Sequence, residues 1–210
     1  MKLYMFPFAP NAAKVRLYLA EKRVAGCDIL VEEVMVNLIQ AEHKEPAFLK
    51  INPLGTVPVL TTEAGLVIHE SLPIIDFLEE LYPEPSMWGP DPEARAQARQ
   101  LERIADIGVL ISVAREIHNT NSPLGLPANP PVAAYFRERW QKAIEHLENA
   151  MADGRRFLAG DRVTVADFTL QAILQFARFR ELDVLEGSPR LTKWNGTYRE
   201  REAAKETILV

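Results

Sequence analysis

Four prolines crowd between Pro83 and Pro92 (Pro83, Pro85, Pro90 and Pro92), and the hydrophobic pattern differs on their two sides. Proline has no N–H to donate and locks φ, so neither a helix nor a central strand runs through such a cluster. Before it the apolar period changes several times; after it no strand pattern occurs, only helical spacing. Residues 83–92 therefore read as a linker between a mixed unit at 1–82 and an all-helical unit at 93–210. A chain of 210 residues with 48% hydrophobic content can bury a core in each.

The first unit opens with the apolar run Leu3-Tyr4-Met5-Phe6 before Pro7, read as a strand. From Asn11 the period becomes helical, with Ala12, Val15, Tyr18 and Leu19 on one face and Asn11 placed to cap the first turn. Residues 28–36 are rich in β-branched side chains and read as a second strand; Pro46 opens a short helix carrying Phe48 and Leu49. Residues 57–61 and 66–69 flank a Glu-Ala-Gly turn and predict an antiparallel hairpin. Ile74, Phe77, Leu78 and Leu81 then predict a helix with Pro73 in its first turn, ending before Pro83. The order is β-α-β-α-β-β-α, whose first crossover makes a parallel pair.

In the second unit the spacing predicts a helix over 92–117, weakened by Gly108, and another over 132–151 with Phe136, Trp140, Ala143 and Leu147 on one side. A Pro- and Gly-rich loop separates them. Thr164 caps a third helix, Asp167 completes a capping box, and Val163 and Phe168 occupy the staple positions. Residues 165–179 are apolar on every side, as suits a helix in the middle of a domain.

The net charge of -5 is spread among interspersed acids and bases with no long basic run, which argues against nucleic acid as a partner. No apolar stretch is long enough to span a membrane, and the apolar run at the start is too short for a signal peptide. The one cysteine, Cys27, cannot form an internal disulfide, and no Cys/His spacing suits a metal. A reduced, cytoplasmic setting is expected.

Three segments resemble one family. Residues 48–60, with the step Val57-Pro58, resemble the signature in which Val-Pro opens the third strand of a glutathione S-transferase. His69-Glu70-Ser71-Leu72-Pro73 resembles the acidic-Ser step that begins its third helix. Gly160-Asp161-Arg162-Val163-Thr164-Val165-Ala166-Asp167 resembles the capping-box motif of its helical domain. By this resemblance the chain is identified as a member of the cytosolic glutathione S-transferase superfamily, similar to bacterial nu-type and to phi- and theta-like members. It implies a thioredoxin-like α/β domain followed by an all-helical domain, a homodimer, and glutathione as co-substrate with no metal or other cofactor. Val57 would pair its backbone with the cysteinyl part of glutathione beside a cis-Pro58. Glu70 and Ser71 would hold the γ-glutamyl end, one taking the ammonium and the other the carboxylate. His43 and Lys44 would meet the glycine carboxylate, and Thr56 stands where phi-type members often have Gln.

The resemblance also locates a departure. A free thiol titrates at about 8.5, so only roughly 3% is thiolate at pH 7. The family places a Tyr, Ser or Cys after the first strand to shift this. Here the serine-type position is Ala9, which donates nothing, although Pro10-Asn11 of the nu-type Thr-Pro-Asn step is retained. Two readings of Asn11 stand: its amide contacts the thiolate, or it only caps the first helix. Tyr4 lies within a strand, and Cys27 follows the first helix, away from the position of the family's nucleophilic cysteine. Phe8, Ile107, Leu110, Ile111 and Arg115 are expected to line the pocket for a small hydrophobic electrophile or a disulfide. Asp167 reads as a folding residue, and His118 and His146 as surface groups. Glutathione-dependent thiol chemistry is the leading expectation; a non-catalytic binding or regulatory module is the alternative, and isomerisation or dehalogenation is not separable from conjugation.

Overall fold

The computed structural model describes residues 1–210. A four-stranded mixed sheet has the order β2-β1-β3-β4, built from β1 (Lys2–Met5), β2 (Glu32–Met35), β3 (Val59–Thr61) and β4 (Val67–His69). β1 and β2 run parallel around helix α1 (Pro10–Val24), and β3 is antiparallel to both β1 and β4. Leu3, Met5 and Leu60 are buried in one core with α1 and with α3 (Ser71–Leu81). Phe48 of the short α2 (Pro46–Leu49) packs with Val36, Val57 and Val59 in a separate cluster. The chain thus has the thioredoxin-like arrangement first and helices afterwards.

The strands are shorter than the composition suggests, because a strand extends only as far as its partner. β1 pairs Lys2 with Glu32 and Met5 with Met35, so residues 28–31 have nothing to pair with. β3 likewise begins where Tyr4 faces Val59, leaving Val57 and Pro58 outside the ladder. Asn11 is not the cap of α1. The helix starts at Pro10, whose fixed φ suits a first helical position, with Ala9 in the flanking place and its carbonyl accepting from Ala13 N–H at 2.9 Å.

The connection after α3 is pinned to the helices it joins. Glu79 accepts from Met87 N–H at 3.0 Å, Asp76 from Trp88 Nε1 at 3.0 Å, and Met87 C=O from Val165 N–H at 3.1 Å. The helix expected over 92–117 is a rod in three parts: α4 (Pro92–Arg103), a π-helical segment (Ile104–Leu110) and α5 (Ile111–His118). Gly108 sits in the π segment against α6 (Pro130–Ala150); a Cβ there would lie 2.7 Å from Cβ of Ala143. The glycine read as a weakness is a point of tight contact between two helices.

α7 (Val165–Phe179) runs through the centre, with every residue from Val165 to Ala177 buried. Asp167 is fully buried and accepts from Leu158 N–H (3.0 Å), Thr164 N–H (2.8 Å) and Trp194 Nε1 (2.8 Å). Burial pushes its carboxyl up to about 6 against the pull of those donors. It joins a turn, a helix start and α8 (Pro189–Arg199), a folding role. The last helix, α9 (Glu202–Thr207), returns to α1, where Arg201 just before it forms a two-pronged pair with Glu21 at 2.7 and 2.6 Å.

Gly108→Ala should destabilise the fold by about 1–3 kcal/mol, since overpacking outweighs the helix-propensity gain. Combining it with Ala143→Gly should restore part of the loss. Chemical denaturation of both single variants and the double variant measures the coupling.

Candidate functional site

Two helix starts and one strand edge converge. Ser71, the first residue of α3, is buried, and its hydroxyl donates to Oδ1 of Asn11 at 3.1 Å. Asn11 is the second residue of α1, so one side-chain bond ties the mouths of α1 and α3 together. Asn11's own N–H2 has no partner in the protein. At α3 the N–H groups of Ser71 and Leu72 are unpaired, and at α1 those of Asn11 and Ala12 are. Free N–H groups and the positive ends of two helix dipoles make this corner a receptor for negative charge.

Glu70, just before α3, is exposed, forms no ion pair and sits at φ +70. A non-glycine residue there costs on the order of 1 kcal/mol or more, and the result is a carboxylate carried next to the N–H groups of α3. The corner therefore offers both a cation partner and an anion partner.

The third wall is the Val57–Pro58 step, whose peptide is cis. Neither the N–H nor the C=O of Val57 makes a hydrogen bond within the protein, although the residue is buried. An unpaired donor and acceptor on one residue beside a sheet can accept an extended peptide backbone. Asn52 holds the approach to this edge: its Nδ2 donates to Thr56 C=O at 2.8 Å and to the Thr56 hydroxyl at 3.1 Å, while its Oδ1 accepts from Leu54 N–H at 3.0 Å. Asn52 has no exposed surface, and no feature of the sequence pattern marked it. Gly55 lies at φ +61, and a Cβ there would come within 3.1 Å of His43 C=O. This close approach places the 3-10 turn Glu42–Lys44 against the strand edge. The Lys44 ammonium is exposed and unpaired; burial, then the charge of Lys44, holds the His43 imidazole below its usual range, and its Nδ1 has no partner.

Beyond the mouth of α1 lies an apolar cavity of about 80 Å³, lined by Phe6, Phe8, Ala9, Leu38, Ile39, His118, Leu124, Phe176 and Phe179 among others. Phe8 and Phe179 are in ring contact, with centroids 4.7 Å apart. Of the residues expected in an electrophile pocket, Phe8 lies here and four do not. Leu110 is buried in the core, Ile107 and Ile111 are 48% and 41% exposed, and Arg115 is exposed, all without lining the cavity. The π segment changes the helical phase, which the regular spacing used for those assignments did not include.

His118 is not a surface group. It is half-buried, ends α5 within the cavity wall, lies 6.0 Å from the Phe176 ring, and shares a 2.9 Å hydrogen bond between Nδ1 and Ser122 Oγ. Burial, with Arg115 and Arg180 nearby, lowers its pKa, so the imidazole is neutral at pH 7. It is the one titratable side chain on the cavity wall. His146 is exposed, Cys27 packs half-buried beyond the far end of α1, and Tyr4 meets Phe48 edge-on at 6.2 Å.

Residues 3–86 match the family description "Glutathione S-transferase, N-terminal domain" and residues 93–194 match "Glutathione S-transferase, C-terminal domain". Glutathione S-transferase 2 of Saccharomyces cerevisiae is 31% identical over 215 residues, spanning 99% of this chain and 89% of that protein. The crystal structure of Gtt2 from Saccharomyces cerevisiae superposes with a TM-score of 0.87 at 30% identity, covering 99% of this chain and 100% of that one. A glutathione S-transferase of Methylobacterium radiotolerans, in complex with glutathione sulfonate, superposes at 0.80 with 26% identity, over 99% and 93% of the two chains.

Because His118 is held below its ordinary value of 6.5, the unfolded chain binds its proton first as the pH falls. Its share of stability is thus present above about pH 6.5 and lost as the pH drops through the folded pKa. His118→Gln should flatten the stability profile in that acid window, measured by denaturant unfolding at a series of pH values.

Proposed function

The chain belongs to the glutathione S-transferase family, and we propose that it grips glutathione along the Val57 edge and between the mouths of α1 and α3, delivering its thiolate to the cavity behind Ala9. The observation that carries this reading is the unpaired N–H and C=O of Val57, two residues beyond the Val59–His69 pair of the β3–β4 ladder, with β4 leading on its side into the free N–H groups of Ser71 and Leu72. A tripeptide with an extended cysteinyl unit and a terminal amino acid matches that set group for group. Val57 pairs with the cysteinyl backbone. Ser71 and the start of α3 take the γ-glutamyl carboxylate, and Glu70 takes its ammonium. Lys44 and His43, with Thr56 beside them, receive the glycine carboxylate. Residues 1–82 form the glutathione-binding unit, 83–92 the linker and 93–210 the helical unit that closes the second subsite.

The chemistry is that of a glutathione transferase. Lowering a thiol pKa by two units requires about 2.7 kcal/mol of preference for the anion. With Ala9 unable to donate, that preference comes from the Asn11 N–H2, the free N–H groups at the start of α1 and its dipole. His118, bonded to Ser122, lines the same cavity as Ala9 and in this reading accepts the thiol proton. The aromatic cavity takes an apolar electrophile or a disulfide. The exposed Ile107 and Ile111 on the α4–α5 rod offer a face for a homodimer. The setting is cytoplasmic and the role one of detoxification.

Titration with glutathione, followed by thiolate ultraviolet absorbance and calorimetry, tests the site. Bound thiol should titrate about two units below free thiol. Asn11→Ala and His118→Ala should each raise that pKa or lower kcat about tenfold, while Glu70→Ala and Ser71→Ala should weaken binding about tenfold, or ~1.4 kcal/mol. Absence of binding at millimolar glutathione would sink the proposal.

A further inference from the structure

Helix α7 is apolar on all sides yet carries two fully buried glutamines, Gln171 and Gln175. Gln171 bonds to Asn195 of α8 at 3.1 Å, an ordinary helix-to-helix tie. Gln175 is different because both ends of its amide serve backbone groups remote in sequence. Its Nε2 donates to Pro7 C=O at 3.0 Å, and its Oε1 accepts from Leu209 N–H at 2.8 Å. An amide at 1% exposure is costly unless bonded, so these two bonds are conditions for its presence.

Pro7 C=O belongs to the peptide that leads into Phe8, Ala9 and the mouth of α1. One turn further along α7, Phe179 stacks on Phe8, and between them Phe176 lines the cavity. Leu209 lies in the segment after α9, where Arg178 Nε also donates to Val210 C=O at 3.0 Å. One face of α7 therefore holds the loop before α1 with one bond and a ring, and holds residues 209–210 with two more bonds.

We propose that Gln175 is a positioning residue for the transferase reaction: it sets the loop 6–9, and so the mouth of α1 facing the sulfur, and couples that loop to the segment after α9. It touches neither glutathione nor the second substrate. It acts through the Pro7 carbonyl on the placement of Phe8 and Ala9. The proposal rests on the reading of the site given above.

Three substitutions separate its arms. Gln175→Glu keeps an oxygen for Leu209 N–H and turns another against the Pro7 carbonyl; Gln175→Met loses both bonds at similar volume. Each should raise the pKa of bound glutathione thiol by about one unit and lower kcat about tenfold, with glutathione affinity within about threefold of wild type. Leu209→Pro removes the tail N–H without touching the loop and should lower kcat about threefold in the same direction. An unchanged thiol pKa and kcat in both Gln175 variants, with only Tm reduced, would make the residue purely structural and overturn the proposal. An unchanged kcat in Leu209→Pro would overturn the coupling. Amide hydrogen exchange at Ala9, whose N–H bonds to Phe6 C=O at 2.9 Å, reports the loop without any ligand. Faster exchange in the Gln175 variants supports positioning even if wild-type calorimetry finds no glutathione binding, and unchanged exchange refutes it.

Discussion

A lysine with no exposed side-chain surface, Lys14, governs how the two halves of the molecule meet. Its ammonium lies 3.2 Å from Glu102 and 3.5 Å from Asp106, and Glu102, equally buried, also accepts from the Thr169 hydroxyl at 3.2 Å. Lys14 is on α1, Glu102 on α4, Asp106 in the π segment and Thr169 on α7. A buried charge left unpaired costs several kcal/mol, so only the docking that brings these helices together is tolerated. A second buried lysine, Lys22, keys the other end of α1, meeting Glu79 at 2.7 Å and the carbonyls of Tyr82 and Pro85 at 2.5 and 2.8 Å. Tyr18 shares Glu79 through a 3.0 Å bond, and burial beside that carboxylate drives its phenol far above the usual range. With α1 held at both ends, its N-terminus has one place to be, and that place is the site.

The site is pre-organised by similar means. The bond between Ser71 and Asn11 aligns two helix mouths, Glu70 is held in a strained backbone conformation, and Asn52 and Gly55 bring the His43–Lys44 turn against the strand edge. Backbone and side-chain groups at the helix mouths and the Val57 edge are unpaired, whereas several buried carboxylates of the helical half are each held by more than one donor. Glu116, for example, takes Arg137 at 2.8 and 2.5 Å and Trp140 Nε1 at 2.5 Å, locking α5 to α6. The contrast marks where binding energy is left for a ligand.

Much of this was readable in one dimension. Proline placement and apolar period specified the β-α-β-α-β-β-α order and the helical remainder, because these follow from backbone sterics and from which face must leave water. Thr164 and Asp167 marked the start of α7, since a capping box is a local bond pattern. Val57, Pro58, Glu70 and Ser71 stood out through a motif whose parts are close in sequence. Strand ends did not, because they depend on the partner's length, and of the two readings of Asn11 the capping one fails because Pro10 already opens the helix.

Local chemistry, then, determined the elements and their order, and a family resemblance singled out the residues proposed to receive a tripeptide backbone. Only the tertiary structure decided the apolar cavity and its supports. The π segment shifts the phase of the α4–α5 rod, turning Ile107 and Ile111 outward and leaving His118 at the cavity. The bonds from Gln175 to Pro7 and Leu209 join residues separated by 168 and 34 positions, respectively. Neither effect has a local period: one is a change of backbone hydrogen-bond spacing inside a rod, and the other joins a helix side chain to loop backbone far away in sequence.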